Sequence, residues 1–114
     1  MAFLRARLQD DCNQARDAMI NDGQWRAERT VVVLDNGAEV SNAFLGIGDH
    51  IARFNPARIL AEVAAKQAIV DVCESPHTTG SAPAAHREEL QTTLRLLATV
   101  YADHSDYRDS WRPS

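Results

Sequence analysis

Residues 56–74 constrain the fold most strongly, because they form one predicted helix that is apolar on two sides. Asn55 is a preferred N-cap, and Pro56 at the first helical position gives up only a backbone donor that has no helical partner. Pro76 cannot continue the hydrogen-bond ladder and ends the helix. The two apolar stripes are Ile59, Val63, Val70 and Cys73 on one side and Ala65, Ile69 and Val72 on the other. A helix of this kind packs between two neighbours, so we expect it to be the central element.

Two further long helices are predicted from apolar side chains that recur three and four residues apart. The first covers residues 3–20, and the last covers about residues 86–101, where Leu96 and Val100 widen the apolar face. Between the central helix and the last one, residues 77–85 are rich in Thr, Ser, Gly, Pro and Ala. This composition predicts a flexible connection.

A small β-hairpin is predicted between the first helix and the central helix. Residues 30–34 are β-branched or aliphatic, residues 38–40 form a shorter run, and Asn36-Gly37 stands between them. Asn-Gly between two such runs is a strong hairpin signal, because both residues tolerate positive φ. A two-stranded hairpin is marginal in water, so it needs the helices or a third strand, for which residues 24–27 are the candidate.

The predicted fold class is α+β and helix-rich, with three main helices, a small β-hairpin and an ordered aromatic C-terminal segment. Gly46-Ile47-Gly48 is expected to loosen the chain, and Asp49 to cap a short helical stretch over residues 50–54. At 114 residues, one domain spanning residues 1–114 is expected.

Composition excludes several classes of protein. The chain is 45% hydrophobic and 25% charged, which is ordinary for a soluble domain, and no apolar run approaches the ~20 residues of a membrane span. A net charge of -4 disfavours nucleic acid as a partner. The first residues lack the apolar core of a secretory signal, so we expect a cytoplasmic protein without membrane partners. Cys12 and Cys73 are therefore expected to be reduced and buried.

The C-terminal segment is dense in aromatic and charged groups. Tyr101, Tyr107 and Trp111 occur close together at a chain end, where tails are normally polar and frayed. We expect these rings to fold back onto the helices, with Arg108 or Arg112 stacked on a ring or paired with an acid. The rival interpretation is a free recognition peptide that is ordered only on a partner.

Chemically active side chains are present, but their spacing does not form a recognisable site. The candidate metal ligands are His50, Cys73, His77, His86 and His104. Their spacing argues against a metal site, because the pairing of Cys73 with His77 is broken by Pro76 and no Cys-x-x-Cys pair exists. Residues 103–106, Asp-His-Ser-Asp, contain the residue types of a catalytic triad, although sequence adjacency is no sign of one. The alternative is that Ser105 or Asp106 caps a turn and His104 bonds a neighbour.

Two stretches of the sequence resemble a known family. His50-Ile-Ala-Arg-Phe-Asn-Pro-Ala-Arg-Ile-Leu-Ala-Glu-Val-Ala-Ala-Lys66 and Tyr101-Ala-Asp-His-Ser-Asp-Tyr-Arg-Asp-Ser-Trp-Arg-Pro113 are similar to the small family of unknown function numbered 6221, from actinobacteria and their phages. Phe54, Asn55 and Ser105 depart from that family's His, Asp and Pro. The resemblance implies an origin in a phage or mobile element and a role in the cytoplasm of the host, and it implies no activity.

The function predicted from the sequence is a non-enzymatic protein-binding module, such as a phage- or mobile-element-encoded modulator of a host protein. No catalytic residue, metal or cofactor is assigned. The candidate binding residues are His50, Arg53, Asp103, His104, Tyr107 and Trp111. The partner is a host protein or a second copy of the chain, so a homodimer stays open. The alternative is a small hydrolase or nucleic-acid-processing factor that uses His50, His104 and nearby acids.

Overall fold

A computed structural model describes residues 1–19, 23–28, 31–34, 37–42, 45–75 and 83–113. The fold is α+β and helix-rich, as predicted. In these ranges the helices are α1 (Ala2–Asp17), α2 (Leu45–Arg53), α3 (Pro56–Glu74) and α4 (Ala84–Ala98), and the strands are β1 (Trp25–Glu28), β2 (Val31–Leu34) and β3 (Glu39–Asn42). Two 3-10 turns, Thr99–Tyr101 and Asp109–Trp111, follow α4.

The chain forms two compact units. Asp11–Val63 is one unit, here the sheet unit, and Met1–Asp10 together with Ala64–Ser114 is the other, here the terminal unit. The expectation of one domain over residues 1–114 stays a prediction.

Each unit contains its own set of buried side chains. Those of the terminal unit are Leu4, Leu8, Val70, Cys73, Leu94 and Ala98, and those of the sheet unit are Cys12, Ala15, Val32, Val33, Leu34, Ala52, Asn55, Pro56 and Val63. Both cysteines are free and buried, as predicted. Asn55 stands out among them, because a buried amide must have its hydrogen bonds satisfied.

The three strands form one antiparallel sheet in the order β1-β2-β3. The central strand β2 pairs with β1 from Trp25 opposite Leu34 to Glu28 opposite Val31, and its pairing with β3 shifts by a residue between Val32 and Val33. The predicted hairpin and third strand are therefore confirmed. Gly37 adopts a φ of 86°, which fits the turn prediction, whereas Asp35 and Asn36 lie outside the described residues.

Helix α2 begins earlier than predicted. Gly46, Gly48 and Asp49 were expected to precede a short helix, but they lie inside Leu45–Arg53. The helix packs against β1 and β2, and its buried positions include Gly48 and Ala52, one turn apart. Tertiary packing of a face with small side chains offsets the low helix propensity of glycine, so the two glycines do not break this helix.

The bounds of α3 match the prediction, but its expected packing on two sides is wrong. Val63, Val70 and Cys73 of the first stripe are buried, whereas Ile69 and Val72 of the second are exposed. Helix α4 begins at Ala84, two residues earlier than expected, and residues 77–82 of the expected connection lie outside the described residues.

In the parts of the chain that the structure describes, no helix combines the length and the apolar character that crossing a membrane requires.

Candidate functional site

A series of tight turns shapes the C-terminal segment. After α4, backbone N–H groups donate to carbonyl oxygens three residues earlier: His104 to Tyr101 at 3.0 Å, Tyr107 to His104 at 3.0 Å, and Trp111 to Arg108 at 2.9 Å. The last turn follows Arg108 and has no side-chain cap, so the expected capping by Ser105 or Asp106 is wrong. Repeated turns of this size bring side chains three residues apart to one side.

The rings of this segment gather around Phe3, near the start of α1. Ring centroids lie 5.6 Å from Phe3 for His104, 5.9 Å for Tyr107 and 5.2 Å for Trp111. Tyr107 and Trp111 also meet edge to face, at 5.4 Å and 86°. Such ring pairs are favourable beyond the area they bury. The predicted docking of Tyr107 and Trp111 is therefore confirmed, with Trp111 as an anchor, whereas the docking of Tyr101 stays a prediction.

Arginine side chains cover two of these rings. The guanidinium of Arg108 lies 5.6 Å from the ring centroid of Trp111, and that of Arg112 lies 5.5 Å from the ring of Tyr107. Arg112 also pairs with Asp109, with 3.3 Å between Nε and Oδ1. Both predicted uses of these arginines, stacking on a ring and pairing with an acid, occur.

His104 makes contacts through both of its ring nitrogens. Its Nδ1 accepts a hydrogen bond from the backbone N–H of Asp106 at 3.0 Å, and the guanidinium of Arg7 contacts its Nε2. Arg7 Nε lies 3.1 Å from the carboxylate of Asp10. A general base needs a nitrogen that can reach substrate, whereas these contacts hold the segment against α1. The interpretation that His104 bonds a neighbour is thus confirmed.

The remaining predicted residues lie in different surroundings. Asp103 is exposed beside His104 in the terminal unit. His50 and Arg53 belong to α2 of the sheet unit, where both are exposed and the His50 ring lies 4.8 Å from that of Phe54. Among the residues that the structure describes, no three His, Cys, Asp or Glu side chains are grouped to hold a metal ion. A hydrolase or nucleic-acid-processing activity of His50 and His104 stays a prediction.

Salt bridges hold the start of α1 to the end of α3 within the terminal unit. Arg5 pairs with Asp71 at 2.8 Å and with Glu74 at 3.0 Å, and the amine of Met1 contacts Glu74. Burial, with a smaller contribution from Arg5, lowers the pKa of the Met1 amine. These contacts fix the helix that carries Phe3.

Trp111 lines a groove between α4 and the last turn. The groove has a volume of about 310 Å³ and is lined by Thr92, Arg95, Leu96, Trp111, Arg112 and Pro113. Leu96 is 50% exposed, and Val100, one helical turn further along, is 67% exposed. We call Arg95, Leu96, Val100, Trp111 and Arg112 the Trp111 face. It combines exposed apolar side chains, an aromatic anchor and two cations.

A second cavity of about 310 Å³ lies in the sheet unit. It is lined mainly by apolar side chains: Asp11, Gln14, Ala15, Ala18, Trp25, Phe54, Pro56 and Ile59. The indole nitrogen of Trp25 is buried and makes no hydrogen bond with any residue that the structure describes. We call this the sheet-unit cavity.

The sequence pattern of the family of unknown function DUF6221 matches residues 1–113. The chain belongs to this family. Comparisons with curated proteins and with solved structures gave no match. For this member of DUF6221, the candidate site therefore rests on the geometry of its own residues.

Sequence reasoning missed four residues of the site in this DUF6221 protein. Phe3 was placed at the start of a helix without a ring partner, Arg95 was passed over, and Leu96 and Val100 were assigned to a buried face. The sequence does contain one indication of this apolar surface. Leu96 and Val100 lie four residues apart and beside the predicted apolar face of Leu90, Leu94, Leu97 and Tyr101, which is the pattern of a second apolar surface on one helix.

Proposed function

We propose that this chain is a non-enzymatic protein-binding module and that the Trp111 face is its binding surface. The observation that supports the proposal is an exposed apolar side chain, Leu96, in a groove with a tryptophan and two arginines, followed four residues later by a second exposed apolar side chain, Val100. Tryptophan and arginine are enriched where interfaces concentrate their binding energy.

The energetics favour a protein partner for this surface. Complete burial of a Leu or Val side chain is worth about 1.5–3 kcal/mol, and Leu96 and Val100 each leave half or more of their surface in water. Trp111 is already fixed by Phe3 and Tyr107, so a partner does not have to order it. A preorganised anchor reduces the entropy cost of association.

The family resemblance supports a proposal for where the protein acts and for what kind of partner it binds. We infer a cytoplasmic role, with a phage or mobile element as the origin of the gene and a host protein as the partner. A second copy of the chain is the competing occupant, and the test below separates the two.

The test is quantitative affinity capture from a lysate of the source organism with the tagged full chain. Leu96→Lys with Val100→Lys places two charges in the Trp111 face and should reduce capture of the specific partner at least tenfold. The matched control is Ile69→Lys with Val72→Lys, because these side chains are also exposed and apolar but lie on α3. The control should capture the same partner as the unaltered chain.

Two outcomes would overturn the proposal. One is equal capture by both double variants when circular dichroism shows that both are folded. The other is that the Leu96 and Val100 variant captures every lysate protein as well as the unaltered chain does, and that light scattering shows a monomer at high micromolar concentration. A dimer that the Leu96 and Val100 variant alone dissociates would identify a second copy as the partner.

A further inference from the structure

We infer that the Trp111 face recognises an acidic peptide segment that carries an apolar anchor residue. The inference rests on the proposed protein-binding function and adds the chemistry of the partner. It is carried by the charges of the groove, by the exposed apolar pair on α4 and by the way in which the ring of Trp111 is already covered.

The charged side chains that line the groove are two arginines. Arg95 is exposed and makes no ion pair with any residue in the described ranges. Arg112 pairs with Asp109, whose side chain is almost fully exposed, so water and incoming carboxylates compete readily for that pair. In a chain of net charge -4, this groove is a local site for anions. Arginine binds carboxylates through paired hydrogen bonds, which gives the contact a fixed geometry.

The apolar part of the face sets a second requirement. Leu96 lines the groove and Val100, four residues further along, is also exposed, so an acidic segment without an apolar side chain would leave both in water. A volume of about 310 Å³ is larger than a single carboxylate or phosphate needs. It suits a side chain of the size of Leu or Phe with a neighbouring carboxylate.

The environment of Trp111 favours a peptide over a nucleic acid. Single strands bind to aromatic side chains by stacking bases on open ring faces. Here Phe3 lies 5.2 Å from the Trp111 ring, Tyr107 meets it edge to face, and Arg108 covers it at 5.6 Å.

The experiment is selection of a random-peptide display library on the full chain, followed by calorimetry with the enriched peptides. We expect peptides with Asp or Glu beside Leu, Phe or Trp. Arg95→Gln with Arg112→Gln should weaken their binding at least tenfold. Arg16→Gln with Lys66→Gln removes two positive charges elsewhere and should change binding less than twofold.

The outcomes separate this inference from the proposed function. Enriched peptides without acidic residues that lose binding in the Leu96→Lys and Val100→Lys variant, but not in the arginine variant, overturn the inference and leave the proposed function standing. The failure to enrich any peptide, or the enrichment only of peptides that bind at the sheet-unit cavity, overturns the inference, whereas the proposed function is decided by the lysate capture. Tighter binding of a mixed-sequence single-stranded oligonucleotide at the Trp111 face also overturns the inference.

Discussion

The start of α3 and the C-terminal segment are both fixed, but by contacts of different range. At the start of α3, Asn55 accepts a hydrogen bond from the N–H of Arg58 at 3.0 Å and donates one to the carbonyl of Ala52 at 2.9 Å. In the C-terminal segment, His104 contacts Arg7, which is 97 positions away. The difference teaches that a local hydrogen-bonded cap sets a helix boundary, whereas contacts of long range decide where a whole segment lies.

The largest expected effect comes from breaking the long-range contacts. Deletion of residues 105–114 removes Tyr107 and Trp111 from Phe3, and these rings are half-buried. We expect the free energy of unfolding to fall by roughly 2–3 kcal/mol and the melting temperature to fall by several degrees. Calorimetric or optical melting measures the fall in melting temperature. The control is Ser110→Ala, an exposed position in the last turn, which should leave the melting temperature unchanged.

A double-mutant cycle sharpens this test. Phe3→Leu and Trp111→Leu, made singly and together, should show a coupling energy of about 0.5–1.5 kcal/mol, because each change removes the same ring contact. An unchanged melting temperature after truncation, with no coupling in the cycle, would mean that the segment is a free recognition peptide.

The smaller, local contact is tested at Asn55. Asn55→Ala removes the acceptor for the Arg58 N–H and should cost about 1 kcal/mol in denaturant unfolding. Asn55→Ser keeps a capping oxygen without placing a charge at this buried position and loses the amide donor to Ala52, so it should cost less. Equal losses for the two variants would show that the bond to Ala52, and not the cap, stabilises this boundary.

The same distinction explains how much of the fold could be predicted. The range Pro56–Glu74 was predicted correctly, because the cap and the proline act on neighbouring residues. Which faces of this helix are buried was predicted only in part, since burial depends on elements far along the chain. Helix α2 shows the same limit, because Gly46 and Gly48 are weak helix formers, and only the packing of the helix on the sheet offsets their low propensity.

Some residues of the candidate site could be predicted from the sequence, and others could not, for the same reason. Tyr107 and Trp111 could be recognised from the sequence, because large rings left in water forgo the free energy of burial. That partner, Phe3, could not be recognised, since no local pattern links the first turn of α1 to the last turn of the chain. Leu96 and Val100 have the spacing of a helix face, and the sequence alone does not say whether that face meets protein or water.

The smallest expected effect is at Val72, a position on α3 whose side chain is expected to take part in neither a helix cap nor a long-range packing contact. Val72 is 59% exposed, so Val72→Lys should change the free energy of unfolding by less than about 0.5 kcal/mol. Val70, two residues earlier, is fully buried, and Val70→Ala should cost at least about 1 kcal/mol through lost burial and the cavity left behind. Denaturant unfolding of both variants compares an exposed and a buried position on one helix.

A loss of stability at Val72 as large as that at Val70 would show that the second apolar stripe of α3 is covered in solution. If that loss then grows with protein concentration, the cover is a second copy of the chain, and the two-sided packing predicted for α3 would be supplied between molecules.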